Sequence, residues 1–142
     1  MNISKLFIGA IVGGVVFFLL SWLLYGYLLT DFMYHNTGKI GHVAERKEME
    51  FLYLVIGNLL EGLLLAYILI KSNVTTLAAG LVTGGIVGFL MVTSVDCIMY
   101  GTTFILSKKG MLADVVSFTV ISAIAGAAIA AVAGGKGSRA AG

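Results

Sequence analysis

The sequence predicts an all-α membrane protein built as a four-helix transmembrane bundle. Three observations lead there. Apolar residues make up 59% of the 142-residue chain and charged residues only 11%, with a mean hydropathy of +1.03, whereas soluble domains carry about 25% charge. The apolar residues fall in four continuous runs, each near the roughly 20 residues that cross a bilayer as a helix. All nine Lys and Arg lie at the ends of those runs or between them. Open strands would leave edge N–H and C=O groups unpaired in lipid, and a closed barrel would show short alternating segments instead of these runs.

The same composition excludes other classes. A disordered chain needs low hydrophobicity and high charge. A secreted disulfide scaffold needs paired cysteines, and Cys97 is the only one. The net charge of +2 is small and scattered, so no nucleic-acid partner is expected. The length has room for one domain, assigned to residues 1–134, with a Gly- and Ala-rich tail at 135–142 that is expected to be mobile.

The first span is assigned to residues 6–29. It is too long for a signal-peptide core and runs into bulky Trp22, Tyr25 and Tyr27 instead of a small-residue cleavage site, so it reads as a retained helix. The second, 49–70, carries Asn58 and Glu61. The third, 77–100, has room to extend to 106, and the fourth, 111–134, carries Asp114 about one turn from its start. There is no proline to kink any of them. The connection 31–48 is the one sizeable loop and holds both histidines, while 71–73 and 107–110 are tight turns. Short turns predict that helices 2–3 and 3–4 lie antiparallel and side by side. Lys5, Lys71, Lys136 and Arg139 fall on one side of the bilayer and Lys39, Arg46, Lys47, Lys108 and Lys109 on the other. Four against five leaves the positive-inside rule without a side to choose, and permits dual insertion beside the ordinary fixed orientation.

Small residues spaced by four mark close helix contacts in lipid. Gly80, Gly84 and Gly88 form one stripe on helix 3, Gly9 and Gly13 mark helix 1, and Ser122, Gly126, Ala130 and Gly134 mark helix 4. These stripes read as seams within the bundle, or as a seam with a second copy of the chain. Gly9, Gly13, Tyr25 and Gly26 recur as Gly84, Gly88, Tyr100 and Gly101, all at a separation of 75, which suggests a repeat of two parallel helix pairs.

Three acids lie inside the spans: Glu61 at mid-depth, Asp96 and Asp114. A charge at bilayer depth costs several kcal/mol, so such residues default to a functional hypothesis. Glu61 has no base at its depth. It must be protonated, bind a cation, face water or be met by neutral donors, the last being interhelical glue worth about 1 kcal/mol. Asn58 shares its helix face, with Gly57 and Gly62 alongside. Asp96 shares a face with Thr93, Tyr100 and Thr103, whose hydroxyls would satisfy a carboxylate. Asp114 reads either as a helix-start charge favoured by the dipole or as part of a pocket. Asp31, Tyr25, Tyr27, Tyr34, Tyr53 and Tyr100 gather at the same end, where an aromatic belt is also ordinary. The candidate proton or cation site is therefore Glu61, Asn58, Asp96, Thr93, Tyr100 and Asp114.

His35 and His42, the latter near Glu45, match no established metal spacing, and neither a metal nor a cofactor is expected. No catalytic motif is present, so the chain does not read as an enzyme. Cys97 reads as a small buried apolar residue.

The segments FFLLSWLLYGYLLTDF, GNLLEGLLLAYIL and SVDCIMYGT, followed by an Ala/Gly-rich fourth helix, resemble an uncharacterised bacterial family of small four-helix integral membrane proteins. The resemblance implies a multi-pass protein of the bacterial cytoplasmic membrane and carries over no activity. Two functions fit these residues: a small proton- or cation-coupled transporter or channel-like protein working through Glu61 and Asp96, or a non-catalytic scaffold or accessory subunit that packs through a glycine stripe. The expected surroundings are the lipid bilayer, with a second copy as one candidate partner.

Overall fold

The computed structural model describes residues 2–135 and is an all-α bundle. Four of its helices are long and apolar enough to cross a membrane. Helix α1 starts at Ile3 and continues through a π-helical segment, Leu24–Leu28. Two short helices, α2 (Thr30–His35) and α3 (Gly41–Ala44), lie in the first connection. The other long helices are α4 (Phe51–Lys71), α5 (Leu77–Thr102) and α6 (Lys108–Gly134). The tail beyond 135 lies outside the described residues.

Side chains of the connections explain where the helices begin. Asn2, Thr76 and Ser107 each accept a backbone N–H of the first turn, from Lys5, Ala79 and Gly110. The turn between α4 and α5 passes through Asn73 at φ 55, a left-handed conformation that Asn tolerates better than most residues. Helix α6 begins three residues before the expected 111, and α5 stops at Thr102, short of 106. Asp114 therefore sits well beyond the first turn of α6, which contains no acid, and the dipole explanation for it fails.

The helices form two hairpins. Helix α1 packs along α4, and α5 packs along α6 more tightly still. The hairpins join through α1 and α6. Helices α4 and α5, expected side by side, scarcely touch. The bundle thus has one closed seam, between α1 and α6, and one open seam, between α4 and α5. The short 72–76 connection holds only the ends of its helices together, whereas the small residues of α1 and α6 allow broad contact.

Glycines set the tight contacts. A methyl group added at Gly84 would collide with the Ser122 carbonyl and sit 3.0 Å from Gly126 Cα. Gly80 and Gly88 lie equally close to α6, against Gly126 and Ser122. In the first hairpin, Gly13 faces both Gly62 Cα, at 3.0 Å, and Ile129 of α6, while Gly9 faces Ala66. The core consists of Phe17, Leu65, Ala66, Leu69, Ile121, Ala125 and Ile129, all from α1, α4 and α6. It fills the half of the bundle nearest the 72–76 turn. Large side chains such as Phe7, Leu19, Val82 and Ile98 point outward, the pattern a bilayer requires. Cys97 is exposed among them, contrary to its expected burial.

At the opposite end the two connections clamp each other. Thr37 and Leu106 form an antiparallel bridge, Gly38 N–H donates to the Ile105 carbonyl at 2.8 Å, and Ser107 Oγ donates to the Asn36 carbonyl. At the near end Lys5 Nζ donates to the Ala133 carbonyl at 2.7 Å, a cation at a helix C-terminus where the dipole favours it.

Candidate functional site

The polar residues of the bundle gather in the half nearest the clamped loops. The π-helical segment of α1 places Tyr25 there. Its wider turn bonds Leu29 N–H to the Leu24 carbonyl, five residues back, at 2.6 Å, and leaves the Tyr25 carbonyl to Thr30 Oγ1 at 2.8 Å. π-turns recur at functional sites because they rotate the side chains that follow a regular helix. The Tyr25 hydroxyl crosses to α6 and donates to Asp114 Oδ1.

Asp114 in turn faces Asp96 of α5, close enough for the two carboxyls to hydrogen-bond. The Tyr25 phenol also lies within electrostatic reach of Asp96 and of Glu61 on α4. Tyr25 of α1, Asp96 of α5 and Asp114 of α6 thus form one group, with Glu61 of α4 within electrostatic reach of the Tyr25 phenol.

The partners expected for Asp96 differ from those found. Thr93 Oγ1 is buried with no hydrogen bond, Thr103 Oγ1 donates to the Met99 carbonyl at 2.7 Å, and Tyr100 is exposed on the outside of α5. Asp96 itself is 3% exposed and its Oδ2 has no hydrogen-bond partner. Asp114 takes the place those hydroxyls were assigned.

Glu61 lies between two openings. On one side is a cavity of about 300 Å³, bounded by Tyr25, Tyr53, Asn58, Glu61, Asp114 and Phe118. Asn58 turns its amide back to the Leu54 carbonyl, at 2.7 Å, so it does not pair with Glu61. Gly57, on the same stretch, has no atom within 4 Å of an added methyl group, whereas Gly62 is pressed against Gly14 of α1. On the other side of Glu61 is a void of about 10 Å³ beside Gly88 and Ser122. Ser122 is 1% exposed and its Oγ has no hydrogen-bond partner.

Above the 300 Å³ cavity lies a wider vestibule of about 620 Å³, lined by Glu45, Arg46 and Glu50 of the loop region. Tyr25, Tyr53 and Leu54 border both spaces and form the neck between them. Arg46 and Glu50 pair at 3.5 Å. Below Glu61 the apolar core closes the bundle.

The remaining candidates fall outside this arrangement. Tyr27 and Tyr34 are exposed, Tyr27 at 78%, and line neither space. Asp31 is exposed, and its carbonyl accepts from His35 Nδ1 at 2.7 Å. Glu45 ends α3 in extended conformation, and α4 begins only at Phe51, so His42 and Glu45 share no continuing helix; the side chain of His42 lies outside the described residues. Among the described residues no three His, Cys, Asp or Glu side chains gather as a metal-binding group.

Sequence reasoning placed Tyr25 in a belt and Ser122 in a packing stripe, and neither in the site. The Tyr25–Gly26 step near a helix end was the available signal for the first. Nothing in the sequence set Ser122 apart from its small neighbours.

No family model, curated protein or solved structure matches the chain.

Proposed function

We propose that the chain is a small proton-coupled transporter of the bacterial cytoplasmic membrane, with Glu61 as the exchanging group and Tyr25, Asp114 and Asp96 as a hydrogen-bonded group near it. One observation carries the reading: α1, α4 and α6 bring Tyr25, Glu61 and Asp114 to an opening on the loop side of the apolar core, and Asp96 of α5 stands behind Asp114. An acid with access from one side and a closed core behind it is the arrangement from which alternating access begins. The bacterial membrane is proposed from the resemblance of the helix motifs.

The scaffold alternative depends on a free glycine stripe. Gly80, Gly84, Gly88 and Gly126 are used between α5 and α6, and Gly9 and Gly13 between α1, α4 and α6, which supports the transport reading over a scaffold built on these stripes.

The test is proton uptake into liposomes holding the full chain and a pH-sensitive dye, driven by a potassium diffusion potential. Uptake above empty liposomes, abolished by Glu61→Gln, is expected. Equal uptake with and without protein would overturn the reading.

A further inference from the structure

The cavity beside Glu61 also has a chemical preference. It holds two acids, Glu61 and Asp114, and no Lys or Arg borders it. Behind Asp114 stands Asp96, whose buried Oδ2 has no partner, and across Glu61 stands the unpartnered Ser122 Oγ. The vestibule adds Glu45 and Glu50 against a single base, Arg46, already paired to Glu50. A ligand travelling inward meets more acid than base at every level, so anions are repelled and cations drawn in.

The walls are aromatic. Tyr25 and Tyr53 form the neck and Phe118 borders the cavity. Ring faces attract cations, most strongly where water is scarce. A bare divalent ion needs an oxygen cage of six or so ligands, which these rings and dispersed acids do not supply. A cation whose charge is wrapped in carbon matches both features: its apolar surface lies on the rings and its charge faces one carboxylate.

The geometry points to a monovalent organic cation bearing an aromatic or alkyl ammonium group as the ligand of this cavity, seated against Phe118 and the neck tyrosines with Glu61 as counter-charge. This specifies the substrate class of the proposed transporter and rests on the same site, but binding is measurable without transport.

Benzyltrimethylammonium is a suitable probe, being small enough for a cavity of about 300 Å³ and soluble enough not to dissolve in micelles. Its binding to the full chain in dodecyl maltoside at pH 8, followed by isothermal titration calorimetry, is compared with benzenesulfonate, an anion of similar size. Saturable binding of the cation, at least about tenfold tighter than the anion, is expected. Glu61→Gln should weaken it about tenfold or more. Tyr53→Ala, at a position 70% exposed, should weaken it about three- to fivefold.

Equal binding of cation and anion would overturn the proposal, as would cation affinity unchanged in both variants. Should Glu61→Gln fail to fold, the ion pair comparison and Tyr53→Ala still decide. Proton uptake by liposomes without cation binding overturns this ligand and leaves the proton reading standing. Cation binding without proton uptake does the reverse.

Discussion

The Tyr25 hydroxyl on α1 donates to Asp114 Oδ1 on α6, linking two residues 89 positions apart that belong to different hairpins. Removing that hydroxyl with Tyr25→Phe keeps the ring and loses the bond. The expected cost is about 1–2 kcal/mol, read as a lower melting temperature in mild detergent. Because the two residues share one interaction, Tyr25→Phe combined with Asp114→Ala should cost less than the sum of the single changes. Strict additivity would mean the bond contributes nothing to stability.

Glu61 has neither a base nor an identified hydrogen-bond donor at its place between the cavities. An acid kept for its chemistry is kept at a cost in stability, so Glu61→Leu should raise the melting temperature by an amount equivalent to about 1–2 kcal/mol while abolishing proton uptake. A clear drop in melting temperature would identify Glu61 as structural glue and count against the transport reading.

The glycines divide sharply. Gly84→Leu forces a side chain into the Ser122 carbonyl and Gly126, and should separate α5 from α6, at a cost of about 3 kcal/mol or more. Gly57→Ala meets nothing within 4 Å and removes a flexible residue from mid-helix, so it should be neutral or stabilising by up to about 1 kcal/mol. Thermal unfolding of the two variants side by side checks the contrast.

Ser107 has two roles. Its hydroxyl accepts from Gly110 N–H at 3.0 Å at the start of α6 and donates to the Asn36 carbonyl in the facing loop. Ser107→Ala should therefore cost about 1–2 kcal/mol. Hydrogen exchange should accelerate at Gly38, whose N–H bonds the Ile105 carbonyl across the clamp. Unchanged protection at Gly38 would show that the clamp holds without Ser107.

The hairpins depend little on the connection between them. Cutting the chain after Asn73 and producing both pieces together should give a complex that purifies as one species, held by α1 against α6. Gly13→Leu, which collides with Ile129 of α6, should abolish that co-purification.

Much of the fold is legible in the sequence because long apolar runs leave a helix little choice in lipid. The four helices lie within a few residues of where the runs of 6–29, 49–70, 77–100 and 111–134 put them. What those runs conceal is rotation. Helices that are apolar nearly all round carry no stripe to say which face turns inward, so Cys97 was assigned to the interior and lies outside. For the same reason Tyr100, on the face of Asp96, was assigned to the site, and Tyr25, its counterpart in the 75-residue repeat, was not. The π-segment turns Tyr25 toward Asp114, while Tyr100 faces out. Loop length misled as well, because the short 72–76 turn suggested a neighbour for α4 that the smaller residues of α1 supply instead. The acids themselves were visible as exceptions to an apolar background. That Asp96 and Asp114 face each other follows from the glycine contact of α5 with α6, which the stripes hinted at without giving the register.

The two-hairpin arrangement bears on biogenesis. Asp96 and Asp114 meet inside the second hairpin, but Tyr25 and Glu61 arrive with the first, so the cluster exists only once α1 has docked on α6. A chain still emerging from the ribosome, with only α1 and α4 inserted, has Glu61 but no relay beside it. Under the proposed function, the half-made protein cannot short-circuit the proton gradient of the cell that is making it.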